Sequence, residues 1–528
     1  VSAFTLAETI GLFTVIFLLI FFNSVRLIYM VRPAELLKGG QIGEKMPKTK
    51  WPLAVLGIVT LAGGYILALK ADNVMTGLNT FFVAVLLVIV GTFSLFTAGS
   101  IAFLKLLQKN KRYYYKTNHF ISVSGMIYRM KQNAASLSLI CIMSTGVLLL
   151  ISSTTSLYVG QEHSLYMHYP KEFRISLSLG TEPDDSAQFE KELKEIGTYA
   201  ENYLKDNKID VKNEESQTVI DVAALQKDGN VQITSSRIYG SEDFENLCML
   251  QAVTLEDYNR ETKKNETLKD GEALVFLEDV PLQQDTFSVN NMKWKVKHLP
   301  EDTRMGDTGL EFYANPVYRI VVKDFAQLQN LWKINKEVYR ENASRVKYEY
   351  SFDVDLPEEK IQELTSSLHA YLGEQKDAPH AFMYGIENRT EGRAEFYSLY
   401  GGLFFLGIFL GLLFVMATVL IIYYKQISEG YEDKERFAIL KKIGMERGEI
   451  NASIRSQVLM VFFLPLAAAG IHSCFAFHLV KEILVGGFGL QDVGLLVICA
   501  VLTFLAFAVF YVIVYLITAR EYYKIVSE

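Results

Sequence analysis

The residues able to do chemistry are few and scattered. His163, His168, His298, His369 and His380 are spread through the middle of the chain with no HExxH spacing among them. No serine elbow and no paired cysteines accompany them. The Gly-rich piece Gly39-Gly40-Gln41-Ile42-Gly43-Glu44-Lys45 lacks the spacing of a phosphate-binding loop and the Ser or Thr after its lysine. The sequence therefore offers no catalytic set, no metal site and no cofactor site. Its histidines read as surface or structural groups, and any ATP-driven step falls to another chain. Nothing in the pattern points to nucleic acid.

Two segments look built to touch something else. The first is Ser428–Glu449, within a stretch 425–455 that holds six acids and seven bases. Charges of both signs crowd its start, Phe437, Leu440 and Ile443 follow at helical spacing, and Gly444 suits a helix end. A membrane surface would select bases alone, whereas a protein partner reads both signs. The candidate docking residues are Glu432, Asp433, Glu435, Arg436, Phe437, Leu440, Lys441, Lys442 and Gly444. The plainer alternative is a solvated connector. The second segment is Thr117–Gln132, where Phe120, Val123, Ile127 and Met130 share one helical face beside Arg129 and Lys131. That face is expected to lie in the lipid headgroup layer.

The elements that must position these segments are membrane helices. Half of the 528 residues are apolar and 21% are charged. The apolar residues gather in seven runs: Ser2–Tyr29, Trp51–Leu69, Thr76–Leu104, Ala134–Tyr158, Tyr397–Tyr424, Ile454–Val480 and Val493–Thr518. Each can cross a hydrocarbon core of ~30 Å as a helix. A soluble enzyme and a disordered chain are both excluded. The connections 26–50, 105–131 and 425–455 carry six, seven and seven bases, whereas 70–76 and 481–492 carry one each. The basic set is expected in the cytoplasm, which puts the N-terminus of the chain outside and the C-terminus inside.

That orientation places 159–396 outside the cell. This segment holds 45 acids and 28 bases, a net of −17, against 14 acids and 24 bases elsewhere. Lys171–Leu179, Val317–Val322 and Arg345–Val354 read as strands. Asp184–Leu204 and Pro357–Leu372 read as helices, the latter with a stripe of Ile361, Leu364, Leu368 and Leu372. An α+β, mostly antiparallel domain is expected. Its charge would attract a cationic peptide, and would equally serve solubility alone. Cys248 is the one cysteine there, so the domain has no internal disulfide, which suits a bacterial source.

The expected organisation is span one at 1–30, a cytoplasmic connection at 31–50, spans two and three at 51–107, and the amphipathic segment at 108–133. Span four follows at 134–158, the extracellular domain at 159–396, span five at 397–424, the coupling segment at 425–452, spans six and seven at 453–520 and a tail at 521–528. Within span five, Gly407 and Gly411 form a GxxxG that lets another helix approach closely. Pro465 is expected to kink span six, which also carries His472 and His478.

The run Tyr431–Ile450 resembles the cytoplasmic coupling segment of FtsX-like ABC transporter permeases, in its pattern ER…L(K/R)xxG. Ile127-Tyr128-Arg129-Met130-Lys131-Gln132-Asn133-Ala134, entering a span, resembles bacitracin-export (Bce-type) permeases. So does Arg32-Pro33-Ala34-Glu35-Leu36-Leu37-Lys38-Gly39, leaving one. The layout of four spans, a large outside domain and three spans agrees over the whole chain. Bce-type permeases have ten spans with that domain after the seventh, so the resemblance implies an N-terminally truncated chain. It further implies a bacterial plasma-membrane protein that is not itself an enzyme, paired with a cytoplasmic ATPase dimer that holds ATP and magnesium. Also implied are protection from peptide antibiotics that bind lipid-linked cell-wall precursors, contact with membrane lipid and association with a sensor histidine kinase. The mechanism expected is mechanotransmission to the outside domain. The alternatives are a receptor that signals without transport, and another FtsX-like exporter or lipoprotein-release permease.

Overall fold

Apolar runs of this length leave the backbone one way to satisfy its polar groups in lipid, which is the helix. The computed structural model describes residues 3–30, 50–71, 74–114, 117–234, 246–278, 280–300, 303, 316–375, 381–442, 447–490 and 492–527. Ala3–Met30 (α1) stands as a unit of its own. Its stretch Glu8–Arg26 is long and apolar enough to cross a membrane. From Lys50 onward the chain forms a second unit with six more such stretches. Trp51–Leu69 (α2) is followed by Val74–Ser94 (α3), which runs through a π-turn at Leu95–Gly99 into Ser100–Lys109 (α4).

Hydropathy marks spans well and their ends poorly. Thr117–His168 (α5) is one helix of 52 residues, about 78 Å at 1.5 Å per residue. It joins the amphipathic segment to span four without a break and continues ten residues past the boundary at 158. On the return, Arg389–Lys442 (α10) is one helix of 54 residues that begins seven residues before 396 and runs through the coupling segment. Neither contains a proline, so nothing forces a stop where lipid gives way to water. Arg447–Phe488 (α11) and Val493–Ser527 (α12) complete the bundle, with Pro465 inside the unbroken α11.

Between α5 and α10 lies the sheet domain. Among the described residues it has eleven strands, β1 (Phe173–Leu179), β2 (Val211–Lys227), β3 (Asn230–Gln232), β4 (Leu247–Thr254), β5 (Glu272–Leu277), β6 (Val280–Pro281), β7 (Thr286–Val289), β8 (Met292–Val296), β9 (Val317–Val322), β10 (Lys347–Val354) and β11 (Phe382–Asn388). The order is β11-β1-β10-β2-β3-β7-β8-β5-β9-β4, and β4 also pairs with β2, so seven strands close into a ring. The β3–β7, β4–β9 and β5–β8 pairings are parallel and the remainder antiparallel. The expected α+β class holds.

Ser186–Asp206 (α6), Phe325–Tyr339 (α8) and Glu358–Gln375 (α9) supply the main core together with β1 and its neighbours. Asp185 caps α6, accepting from Gln188 N–H at 2.8 Å. The stripe Ile361, Leu364, Leu368 and Leu372 is buried as its spacing implies. The short helix Leu255–Thr262 (α7) covers a second cluster that includes Val219, Val253 and Tyr258.

Candidate functional site: two polar nodes joined by two long helices

Helices α5 and α10 lie side by side because α10 has removed its side chains where they meet. A Cβ on Gly407 would fall 2.3 Å from Thr154 Oγ1, and one on Gly411 would fall 2.9 Å from Ile151. Backbones this close exchange many dispersion contacts along a long seam. The GxxxG pair therefore presses on the helix that carries the chain into the sheet domain.

At the sheet end both crossings are tied by one side chain. Arg389 Nε donates to the Tyr169 carbonyl at 2.7 Å, and Nη2 donates to the Pro170 carbonyl. The same guanidinium lies 3.7 Å from Glu172 and 3.8 Å from Asp353, and stacks over the Tyr166 ring. Glu172 in turn accepts from the hydroxyl of Thr390 at 2.7 Å, and Asp353 accepts from the Glu172 N–H at 2.9 Å. The result joins the entering segment, the leaving helix and β10 in one largely buried knot. A fork of five fixed donors can do this; a lysine could not hold two carbonyls and two carboxylates at once.

The other ends of the helices meet in a second knot. Arg129 and Asn133 stand one turn apart on α5; Glu429 and Asp433 stand one turn apart on α10. Arg129 Nη2 donates to Asp433, and Asn133 Nδ2 donates to Glu429. Tyr522, on α12, donates to Asp433 at 2.6 Å and accepts from Arg129 at 2.9 Å. All five residues are at most 5% exposed. Two carboxylates thus face one guanidinium away from water, with Glu429 at 3.9 Å as its second partner. Charges buried this way are costly to separate, because each is left unpaired in a low dielectric.

This knot corrects two expectations. Val123, Ile127 and Met130 are buried against the other helices, so their face is not in a headgroup layer. Arg129 beside them is a buried ion-pair partner. Asp433 is turned inward as well, so it does not stand at a docking surface, whereas Glu432 is exposed. Periodicity reported an apolar face correctly; it could not say whether lipid or protein covers it. The backbone of α10 is helical through Lys442. The side chains of Glu435, Arg436, Phe437, Leu440, Lys441 and Lys442, that of Phe120, and the whole of Gly444 and of 31–49 lie outside the described residues.

Of the histidines, His163 and His369 are exposed, and His298 lies 3.3 Å from Asp285. His472 is buried between spans: its Nδ1 accepts from the Tyr65 hydroxyl at 2.5 Å. Its Nε2 donates to Thr92, which passes its own proton to the Val88 carbonyl. Among the described residues no three His, Cys, Asp or Glu side chains gather as a metal site. Sequence reasoning missed Arg389, Glu172, Asp353, Asn133, Glu429 and Tyr522. The paired one-turn spacings of Arg129 with Asn133 and of Glu429 with Asp433 were the available signal for two of them, Asn133 and Glu429.

Comparison with known proteins places this geometry. Residues 404–526 match the FtsX-like permease C-terminal family. The chain is 27% identical over 486 residues to the ABC transporter permease protein YxdM of Bacillus subtilis (strain 168), covering 87% of this chain and 67% of that protein. It is 24% identical over 538 residues to the uncharacterized ABC transporter permease YvcS of the same organism, covering 98% and 75%. Against the bacitracin export permease protein BceB of Halalkalibacterium halodurans it is 26% identical over 443 residues, covering 80% of this chain and 61% of that one.

Proposed function

We propose, for a multi-pass ABC transporter permease with an FtsX-like domain at residues 404–526, that α5 and α10 relay motion from a partner ATPase to the sheet domain. The observation that carries this reading is the continuity of the path. Two unbroken helices of 52 and 54 residues each join a buried ionic knot at one end to the Arg389 knot at the other. A rigid element with fixed ends transmits a displacement; a jointed one absorbs it. On this reading the basic connections face the cytoplasm and the sheet domain faces outside. The chain hydrolyses nothing, and ATP with magnesium belongs to the ATPase dimer.

The ATPase engages the surface around Glu432 and the end of α10. Nucleotide binding biases a two-state bundle, and the sheet domain alters its grip on a peptide antibiotic or on that peptide's complex with a lipid-linked cell-wall precursor. The name of the BceB relative supports this cargo, as does the acidic balance of 159–396. The outcome is resistance, reported onward to a sensor histidine kinase.

The test cuts the path away from both partners. Arg389→Ala in the permease, co-expressed with its ATPase in a Gram-positive host, is expected to abolish peptide resistance while membrane insertion and nucleotide hydrolysis persist. Full resistance in that variant, or in wild type with an ATPase that cannot hydrolyse, would remove the relay.

A further inference from the structure

The turn between α11 and α12 grips both long helices just short of the sheet domain. Gly489 stands in the left-handed region at φ 65° and ends α11. The Leu490 N–H reaches back to the Leu484 carbonyl at 3.1 Å, and both leucines are buried. Carbonyls at a helix end have no donor within their own helix. Here two other helices supply one each. The Tyr400 hydroxyl, on α10, donates to the Phe488 carbonyl at 2.6 Å. The Ser164 hydroxyl, on α5, donates to the Gly489 carbonyl at 2.8 Å, nearer than the Gly160 carbonyl of its own helix at 3.3 Å. Gly160 leaves room for this approach, since a Cβ there would fall 2.7 Å from Leu490. Tyr400 and Ser164 are both buried. Sliding either long helix by one residue, about 1.5 Å, would strand these carbonyls in a dry site.

On its other side α11 is fixed to α2 and α3. His472 holds Tyr65 of α2 and Thr92 of α3, and the Tyr65 ring stacks on Phe475 at 3.9 Å. Closer to the turn, Leu479 shares a buried cluster with Ala68 and Ala71. Helices α2, α3 and α11 therefore make a frame with the turn 488–490 at its end. Opposite the frame stand α5 and α10, joined along their glycine seam and at both knots, with α12 tied to the inner knot through Tyr522. Along α10 the turn sits at Tyr400, about 16 Å from Arg389 and about 50 Å from Asp433 at ~1.5 Å per residue.

We propose that the turn 488–490 is the fulcrum of the relay, and that α5 and α10 tilt about it instead of sliding as pistons. This deepens the relay reading and rests on it. The arms are unequal by a factor of about three, from the same helical rise. A displacement at the ionic knot therefore emerges at the Arg389 knot about one third as large, opposite in sense, and with correspondingly greater force. Tyr400 and Ser164 are positioning residues: they hold the pivot and touch neither partner.

The experiment measures spin-label distances in the full permease–ATPase complex in nanodiscs, without nucleotide and with ATP and magnesium. Cys474→Ala removes the exposed native thiol. One label pair, Trp51→Cys with Glu432→Cys, spans frame and lever at the inner end. The other, Lys70→Cys with Glu391→Cys, spans them at the sheet end; all four positions are exposed. The inner pair is expected to shift about three times as far as the outer pair, with the opposite sign. Tyr400→Phe combined with Ser164→Ala is expected to keep the inner shift and lose most of the outer one. A disulfide between Gly160→Cys and Leu490→Cys, confirmed by mass spectrometry, is expected to leave both shifts in place, because a pivot tolerates being pinned. Shifts of equal size and sign, or shifts abolished by the disulfide, would overturn the fulcrum and leave the relay standing. No shift at either pair in wild type would remove the relay and the fulcrum together.

Discussion

At the scale of single residues, Arg129 and Asp433 behave as one unit. Removing either partner strands the other in a dry site, so Arg129→Ala or Asp433→Ala should each cost about 3–5 kcal/mol. Replacing both with apolar residues of similar size should cost less than the two single changes summed, which a double-mutant cycle of unfolding in detergent would read. Additive losses would show that the pair does not act together. Burial also separates the cysteines. The Cys248 thiol is pushed up to about 12 by burial, so it is neutral and enclosed. Maleimide at neutral pH should leave it unmodified until denaturant is added; prompt labelling of Cys248 would contradict its placement. Tyr348 is likewise held up to about 12, first by burial, with Glu201 accepting its proton. Its folded value lies above the usual 10, so its contribution to stability is full below pH 10 and lost as pH rises toward 12. Tyr348 is one of several buried tyrosines held up, so an ultraviolet titration of Tyr348→Phe should show one tyrosine fewer ionising late than wild type; an unchanged late step would contradict its burial.

At the scale of elements, the seam between α5 and α10 depends on absent side chains. Gly407→Leu places a branched group where Thr154 already sits. Engineered disulfides across the two helices should form more slowly in that variant than in wild type, with membrane insertion unchanged; equal rates would show that the seam tolerates separation. Elements were also where the sequence was most legible. Seven apolar runs became seven membrane-length stretches, and the stripe from Ile361 to Leu372 became a buried helix face. The helix ends were not legible. Lipid boundaries follow hydropathy, but α5 and α10 follow backbone continuity, and no proline or capping group interrupts either one. The stripe of Val123, Ile127 and Met130 shows the same limit, because an apolar face has the same period under lipid and under protein. Asp433 shows it for charge, since its partner lies 304 positions away.

At the scale of the whole molecule, the exposed side chain next to that inward aspartate is the useful probe. Glu432→Lys changes the surface at the base of α10 without entering the buried knot. It should abolish resistance and weaken co-purification of the ATPase while leaving the permease in the membrane. Retained co-purification would move the docking surface elsewhere. The sheet domain was legible in class and sign of charge. The closure of seven strands into a ring was not, because it arises where β2 exchanges one neighbour for another, a matter of topology that no local pattern records.

The chain enters the sheet domain on β1 and leaves it on β11, and those two strands are paired along their whole length from Phe173 with Asn388 to Leu179 with Phe382. Entry and exit are therefore one strand spacing apart, about 5 Å. A module attached this way can be unplugged and replaced by another with the same footing, and the bundle beneath would register no change in distance. Domains borrowed from relatives should therefore transplant at this junction, and chimeras joined there should insert and fold as the parent does.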